Sequence, residues 1–244
     1  MKRVNNVNKE QLEKLLKESK TTREIGKPKR LPYHIDKIDS KEKAYMLGFI
    51  LADGAINNNI VEISVSLQDK ELAIMFAKLL GTNYQVDMTF IKKNRRFPRV
   101  RLSRKIIGLS TLLNGEKKVD RTVPRIRKDL EVYLLRGIFD ADGCITYGYR
   151  KDRNRLWHKV SFTSSLKILT SVQNILYKIG IATIVRPKSG GEKCFVLEFS
   201  NKKDINTFYE YIYQDKSYIP LKRKFSKYNA LRLELGELRG STNR

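Results

Sequence analysis

Among 244 residues there are two cysteines, Cys144 and Cys194, and two histidines, His34 and His158. They are not clustered, which argues against a structural zinc site, and two distant thiols make no disulfide framework. Long apolar runs are also missing. None reaches the roughly 20 residues needed to cross a bilayer, and no signal peptide is visible. The expectation is a soluble intracellular protein, cytoplasmic or organellar, with no membrane partner. Acid is scarce as well: 26 Asp+Glu stand against 50 Lys+Arg, a net charge of +24. An excess of that size points to a polyanionic partner, most plausibly nucleic acid; solubility alone or a ribosome-type basic surface are the other uses of such a charge. The length suits one domain or two small ones and is sufficient for a real core.

What the sequence does contain is a duplication. Ala44 to Gly54 reads AYMLGFILADG, and Val132 to Gly143 reads VYLLRGIFDADG. One constant offset matches Gly48 with Gly137, Ala52 with Ala141, Asp53 with Asp142 and Gly54 with Gly143. Leu, Met, Ala, Phe and Ile dominate both runs, no proline interrupts them, and a glycine ends each as at a helix C-cap. Helices apolar on most sides are buried. Gly48 and Ala52 share one face, as do Gly137 and Ala141, and small residues at that spacing let two helices approach closely. If the copies pack on each other, Asp53 and Asp142 emerge side by side. Two adjacent carboxylates repel unless a cation lies between them, so the spacing predicts a metal site.

Residues 1–40 read as a basic arm. Asn8 to Ser19 has Leu12, Leu15 and Leu16 at helical spacing, and Thr21 to Ile25 resembles the start of a second helix in a helix-turn-helix. GKPKRLP then breaks the pattern, so no recognition helix follows. After the first apolar run, Val61, Ile63, Val65 and Leu67 alternate with Glu62, Ser64, Ser66 and Gln68, a strand with one polar face. Asp69 then caps a helix to Leu80, Tyr84 to Ile91 is a strand, and Lys92 to Lys105 holds eight basic residues and no acid. Ile106 to Leu113 closes this unit as a helix.

The second copy repeats the order. Gly143 to Tyr149 and Trp157 to Thr163 form a hairpin around a basic loop, and Leu166 to Ile179 is a helix. Ile181 to Pro187 and Lys193 to Ser200 pair as strands, Asp204 to Tyr213 is a helix, and Phe225 to Leu238 is a final one. The expected fold is α+β: two pseudo-symmetric αββαββα repeats, 41–124 and 125–244. Each repeat offers a four-stranded antiparallel sheet, and the two sheets together form a saddle for duplex DNA, joined through the central pair of helices.

One face of each sheet is apolar and the other polar and basic, which suits the major groove. In the first half Glu62, Ser64, Ser66, Arg99, Arg101 and Ser103 are candidates for the open face, with Lys92, Lys93, Arg95 and Arg96 beside them. In the second half the candidates are Tyr147, Tyr149, Arg150, Lys151, Arg153, Arg155, Lys159 and Ser161. Arg186, Lys188 and Lys193 extend that face. Arginines and lysines would anchor phosphates, and Glu62, Ser64, Ser66, Gln68, Arg99 and Arg101 are candidates to touch base edges. Trp157 is expected to pack rather than stack.

MLGFILADG and LRGIFDADG resemble the two signature motifs of the LAGLIDADG homing endonucleases in their two-motif, single-chain form, and the resemblance extends from about Lys41 to about Leu235. It implies a monomer without an obligate protein partner that makes a staggered double-strand cut, as in intron homing, at a long, nearly asymmetric DNA target. It implies Mg²⁺ as cofactor, with Mn²⁺ or Ca²⁺ able to substitute in binding, held where Asp53, Ala52, Asp142 and Ala141 meet. A lysine near the end of each half stabilises charge on the phosphate in that family. Lys224 matches it in the second half, and Lys118 and Arg121 compete for it in the first. Gln68 and Ser164 are candidates to position the attacking water. Leu51 and Arg136 depart from the motif, Leu51 standing where the family often has its first Asp, a residue that Asp140 keeps in the second copy. An intron maturase that binds RNA, or a catalytically inactive DNA-binding regulator, are the alternatives on the same scaffold.

Overall fold

A computed structural model describes residues 37–57, 60–79, 86, 91–92, 95–96, 99–103, 117–190, 193–218 and 220–236. The expected N-terminal helix, the helix at 106–113 and most of the strand at 84–91 lie outside them, as does Lys93.

The molecule is built on two helices, α1 (Lys41–Asp53) and α3 (Lys128–Asp142), which carry the duplicated run. Ser40 caps α1, its hydroxyl accepting from the Lys43 amide at 3.3 Å. From Lys43 to Ala52 every residue of α1 is buried, as expected of a helix apolar on all sides. Glycine makes the pairing possible. A Cβ on Gly48 would lie 2.1 Å from the Leu134 carbonyl oxygen, and one on Gly137 would lie 2.1 Å from that of Tyr45. Tyr45 and Leu134 are themselves matched positions, so the helix pair has a pseudo-twofold axis between the glycines.

The glycines that end the two runs serve a different purpose from the one expected. Gly54 and Gly143 are extended, at φ −66° and −80°, not in the left-handed conformation of a C-cap. A Cβ on Gly54 would sit 2.7 Å from the Ile50 carbonyl oxygen, and one on Gly143 would sit 2.5 Å from that of Phe139. The chain leaves the helix so sharply that only glycine clears the last turn.

After α1, strands β1 (Ala55–Asn57) and β2 (Ile60–Ser64) are followed by a 3₁₀ turn, Leu67–Asp69, and helix α2 (Lys70–Leu79). Strands β3 (Ile91–Lys92) and β4 (Arg95–Arg96) make a separate short ladder, and β5 (Arg99–Ser103) returns to pair with β2. Register puts Val61 opposite Leu102 and Ile63 opposite Val100, and sets Glu62 against Arg101 and Ser64 against Arg99. The expected fourth strand of this sheet falls largely on residues outside those described; the described order is β1-β2-β5.

The second half shows every element of its repeat among the described residues. It runs α3, β6 (Gly143–Arg150), β7 (Arg155–Ser164), α4 (Leu166–Lys178), β8 (Val185–Pro187), β9 (Phe195–Phe199) and α5 (Lys202–Ile212), the αββαββα order expected. Its four antiparallel strands are arranged β6-β7-β9-β8. Ile145, Val160, Phe162, Leu197 and Phe199 point inward onto α4 and α5, where Phe139, Phe162 and Phe208 meet edge to face. Helix α6 (Lys222–Glu234) closes this core through Tyr228, fully buried and stacked on Tyr209 at 5.1 Å between ring centres. Among the described residues no helix is long and apolar enough to cross a membrane.

Candidate active site

The ends of α1 and α3 open into one cleft of 240 Å³. Asp53 and Phe49 of the first helix line it together with Asp140 and Ala141 of the second. The cleft's other wall is Ser64, Ser66, Gln68 and Asp69 of the first half, and Leu221 and Arg223 of the second complete it. Gln68 is there because β2 stops at Ser64. The alternation read from the sequence continues through Gln68, but the 3₁₀ turn redirects the chain and exposes Gln68 to the cleft instead of extending the strand. Nor does Asp69 serve as a helix cap. Its carboxylate accepts from the Ser66 hydroxyl at 2.7 Å and from Arg223 through Nε at 3.0 Å and Nη2 at 2.8 Å.

Two buried cations hold the helix ends. Arg121, 2% exposed, donates from Nη1 to the carbonyls of Ile50 at 3.0 Å and Leu51 at 3.1 Å. Lys224 donates from Nζ to the carbonyls of Phe139 at 2.5 Å, Asp140 at 2.8 Å and Gly143 at 2.7 Å. Ile50 matches Phe139 and Leu51 matches Asp140 in the duplicated runs, so Arg121 and Lys224 occupy equivalent places. A helix C-terminus favours cations, and these two add donors at the helix ends, where the Ile50 and Phe139 carbonyls also accept from the Gly54 and Gly143 amides. Burial lowers the pKa of Arg121, and the charges of Asp142 and Asp53 raise it, which puts both acids within electrostatic reach of one guanidinium. Burial brings Lys224 down to about 8 against the opposing pull of Asp140. All three Lys224 donors go to carbonyls, so the amine has none left for a phosphate without giving one up. The side chain of Lys118 lies outside the described residues; its backbone forms a 3₁₀ turn just before Arg121.

Asp140, the motif acid without a counterpart in the first copy, is buried between the helices and accepts from the Tyr45 hydroxyl at 2.9 Å. Burial raises its carboxyl to about 6, opposed first by Lys224 and then by the Tyr45 hydrogen bond. Arg136, the other departure, is 1% exposed, lies 4.5 Å from the Tyr213 ring centre and donates to the Tyr218 carbonyl. In chemical terms Asp53 and Asp142 are hard oxygen donors beside the backbone carbonyls of Ala52 and Ala141, the only oxygens an alanine offers, and such a set fits Mg²⁺ or Ca²⁺. Among the described residues there is no group of three or more His, Cys, Asp and Glu that could hold a metal ion.

The open face of the second sheet carries Arg150, Trp157, Lys159 and Ser161, with Arg186 opposite Val196 in the β8–β9 register. Lys159 pairs with Glu198 at 2.9 Å. Lys151, Lys188 and Lys193 are exposed in the flanking turns. For Arg153 and Arg155 only the backbone is described, in the turn and at the start of β7. Tyr147 is a correction: it shares the face of Ile145 and packs against the core, because strand alternation turns it away from the open side. Tyr149 lies on that same face near the hairpin end, 57% exposed, with its hydroxyl on Asn154. Trp157 packs edgewise over Gly148, whose missing Cβ would lie 2.9 Å from the indole Nε1, and it remains 37% exposed on the basic side. The sequence reading overlooked Arg223 and Asp69; an Arg-Lys pair at the start of a helix gives no signal until the helix is placed.

A family model described as LAGLIDADG-like domain matches residues 129–213. Among curated proteins the isomerizing glutamine–fructose-6-phosphate aminotransferase of Methanocaldococcus jannaschii is 24% identical over 193 residues, which is 74% of this chain. The chain spans only 17% of that protein's length, so the match carries no chemistry over. Three solved structures share the fold at low identity. LAGLIDADG meganuclease I-AabMI bound to uncleaved DNA superposes with a TM-score of 0.59 at 11% identity, covering 79% of this chain and 90% of that one. LAGLIDADG homing endonuclease I-GzeII in complex with its DNA target gives 0.58 at 11%, covering 82% and 92%. I-SmaMI bound to uncleaved DNA in the presence of calcium ions gives 0.55 at 13%, covering 79% and 91%. The second half of this chain thus carries a LAGLIDADG-like domain, and the chain shares the fold of the LAGLIDADG homing endonucleases.

Proposed function

We propose that the protein is a site-specific endonuclease that cuts both strands of a long, nearly asymmetric duplex target, leaving a stagger, and uses a divalent metal, Mg²⁺ in the cell. The observation that carries this reading is the shared cleft: the ends of both signature helices open into it, with Asp53 on one side and Ala141, the neighbour of Asp142, on the other. Asp53 and Asp142 would hold the metal with the carbonyls of Ala52 and Ala141. When bound, the cation supplies Lewis-acid stabilisation of charge on the phosphate.

The chain's own residues do the rest. Gln68, exposed in the cleft, orients the water that attacks phosphorus. Arg121 and Lys224 hold the two helix ends in place and offset the field of the paired acids. The open sheet faces carry the target. Glu62, Ser64, Ser66, Arg99 and Arg101 read the first half-site, and Lys159, Ser161 and Arg186 read the second. Basic side chains in the turns (Arg150, Lys151, Lys188 and Lys193) hold the backbone. The domain boundaries belong to this reading too: one repeat over 41–124, a second over 125–244, and a single chain acting as a monomer. Calcium in one structural relative supports the use of a divalent ion.

The test is selection of cleaved molecules from a randomised duplex library in Mg²⁺ and in EDTA, with Asp53→Asn and Asp142→Asn run beside the wild type. A Mg²⁺-dependent double-strand cut that falls at least about 100-fold in each variant, with binding retained in Ca²⁺, is the expected result. Tight duplex binding without cutting in any divalent metal would make the protein a regulator. Preference for structured RNA over duplex would make it a maturase.

A further inference from the structure

We infer that Arg223 is a catalytic residue of the Asp53 cleft: the second half of the chain supplies it to the first half's site, Asp69 aims it, and it contacts the scissile phosphate there. The inference rests on the endonuclease reading and adds a residue to it.

The geometry begins with what the two buried cations cannot do. Lys224 gives its three donors to the end of α3, and Arg121 is sealed against the end of α1. Lys224 has no N–H left for the cleft, and Arg121 is only 2% exposed. Arg223 is one residue from Lys224 and faces the other way. Its guanidinium crosses from α6 to the first half and meets Asp69 side by side through Nε and Nη2. Nη1 has no hydrogen-bond partner among the described residues, and the side chain stays 49% exposed while that of Asp69 is 8% exposed. An arginine gripped on one edge by a buried carboxylate keeps its other edge fixed in orientation, which suits a planar, bidentate group for a phosphate. Ser66 holds Asp69 from behind. Arg223 lines the same cleft as Asp53 and Gln68, so a phosphate seated in that cleft would meet this guanidinium edge.

The arrangement is not repeated by the pseudo-twofold axis. Lys224 and Arg121 are equivalent by their matched carbonyls, but Arg223 and Lys224 lie in α6, whereas the residue that precedes Arg121 in sequence ends a 3₁₀ turn. It is Asp120, an exposed acid. By position at the start of its helix, the counterpart of Asp69 is Ser165, ahead of α4. Sequence order thus puts an acid, not a cation, beside the first half's buried cation, so the two strands are expected to depend on different groups.

The experiment follows each strand of a duplex target labelled at both ends, with the full-length chain in single turnover. Target binding is measured in Ca²⁺ over a range of KCl. Arg223→Gln is expected to slow one strand at least about 100-fold and the other less than about 3-fold. Its plot of log affinity against log salt should lose about one unit of slope, the mark of one phosphate contact. Arg223→Lys keeps the slope and recovers part of the rate. Asp69→Asn also keeps the slope but slows the same strand about 10-fold, because the guanidinium is charged but unaimed. A structural tie alone would give Arg223→Gln and Asp69→Asn equal losses of melting temperature, no strand preference and no change of slope; that pattern overturns the inference. If the wild type binds duplex but cuts neither strand, the endonuclease reading fails and the slope alone decides whether Arg223 touches phosphate. A wild type that does not bind duplex overturns both.

Discussion

Asp140 shows how one matched position acquires opposite chemistry in the two copies. Leu51 fills the place in the first helix with an apolar side chain, whereas Asp140 brings a carboxyl into the same packed interface and needs Tyr45 to satisfy one oxygen. Its folded-state pKa of about 6 lies above the unfolded value near 3.8. Between those values the folded protein holds a proton that the unfolded chain has lost. Stability from this group is therefore fullest below about pH 4, declines as pH rises to about 6, and is level above that. Asp140→Asn lacks the decline while keeping an acceptor for Tyr45. Thermal melts from pH 4 to 7.5 should show the variant gaining on the wild type across that window and running parallel above it; a constant difference at all pH values would mean that Asp140 does not titrate there. The sequence marked Asp140 as a motif acid. It did not show that the acid would be buried, since burial depends on which side of α3 meets Tyr45.

At the scale of elements, the helix pair carries the most demanding packing. The small-residue spacing of Gly48 and Gly137 was legible in the sequence, and the close approach it implies is present. Gly48→Ala and Gly137→Ala each drive a methyl group into a backbone carbonyl that cannot move without shifting its helix. Each is expected to cost at least about 2 kcal/mol, a fall of roughly 4–8 °C in melting temperature for a chain of this size. Calorimetry checks it, and a change under 1 °C in both would contradict the close contact. The strand ends were less legible than the helices. Period-two alternation ran on through Gln68, but β2 stops four residues earlier, because a 3₁₀ turn competes with the pattern and alternation does not encode where pairing ends. The same alternation placed Tyr147 by phase once Ile145 was known to face inward. Stacking and packing were both open to Tyr147 from the sequence, and the strand packs it against the core.

For the whole molecule, a net charge of +24 and the basic open face of the second sheet predict binding dominated by phosphate contacts. Target affinity is expected to fall by at least about 10³-fold between 50 and 200 mM KCl, as for proteins that neutralise six or more phosphates. Fluorescence anisotropy over a salt series measures this, and a loss below tenfold would assign the charge to solubility rather than to DNA. Because the two halves differ at Leu51 and Asp140, at Arg121 and Lys224, and at Asp120 and Arg223, the pseudo-symmetry concerns backbone more than chemistry.

The amino-acid sequence by itself determined the duplication, the identity of the two signature acids, the αββαββα order of the second half and the basic character of the surface. Each follows from local periodicity or from counting, which need no partner element. Tertiary structure decided what depends on contacts distant in the chain. Packing of α1 on α3 buried Asp140 and made glycine obligatory where the two runs touch. The return of the chain through 117–127 and the placement of α6 brought Arg121 and Lys224 to equivalent helix ends. The same helix carried Arg223 across to Asp69, 154 positions away in sequence, an ion pair that no spacing rule reaches.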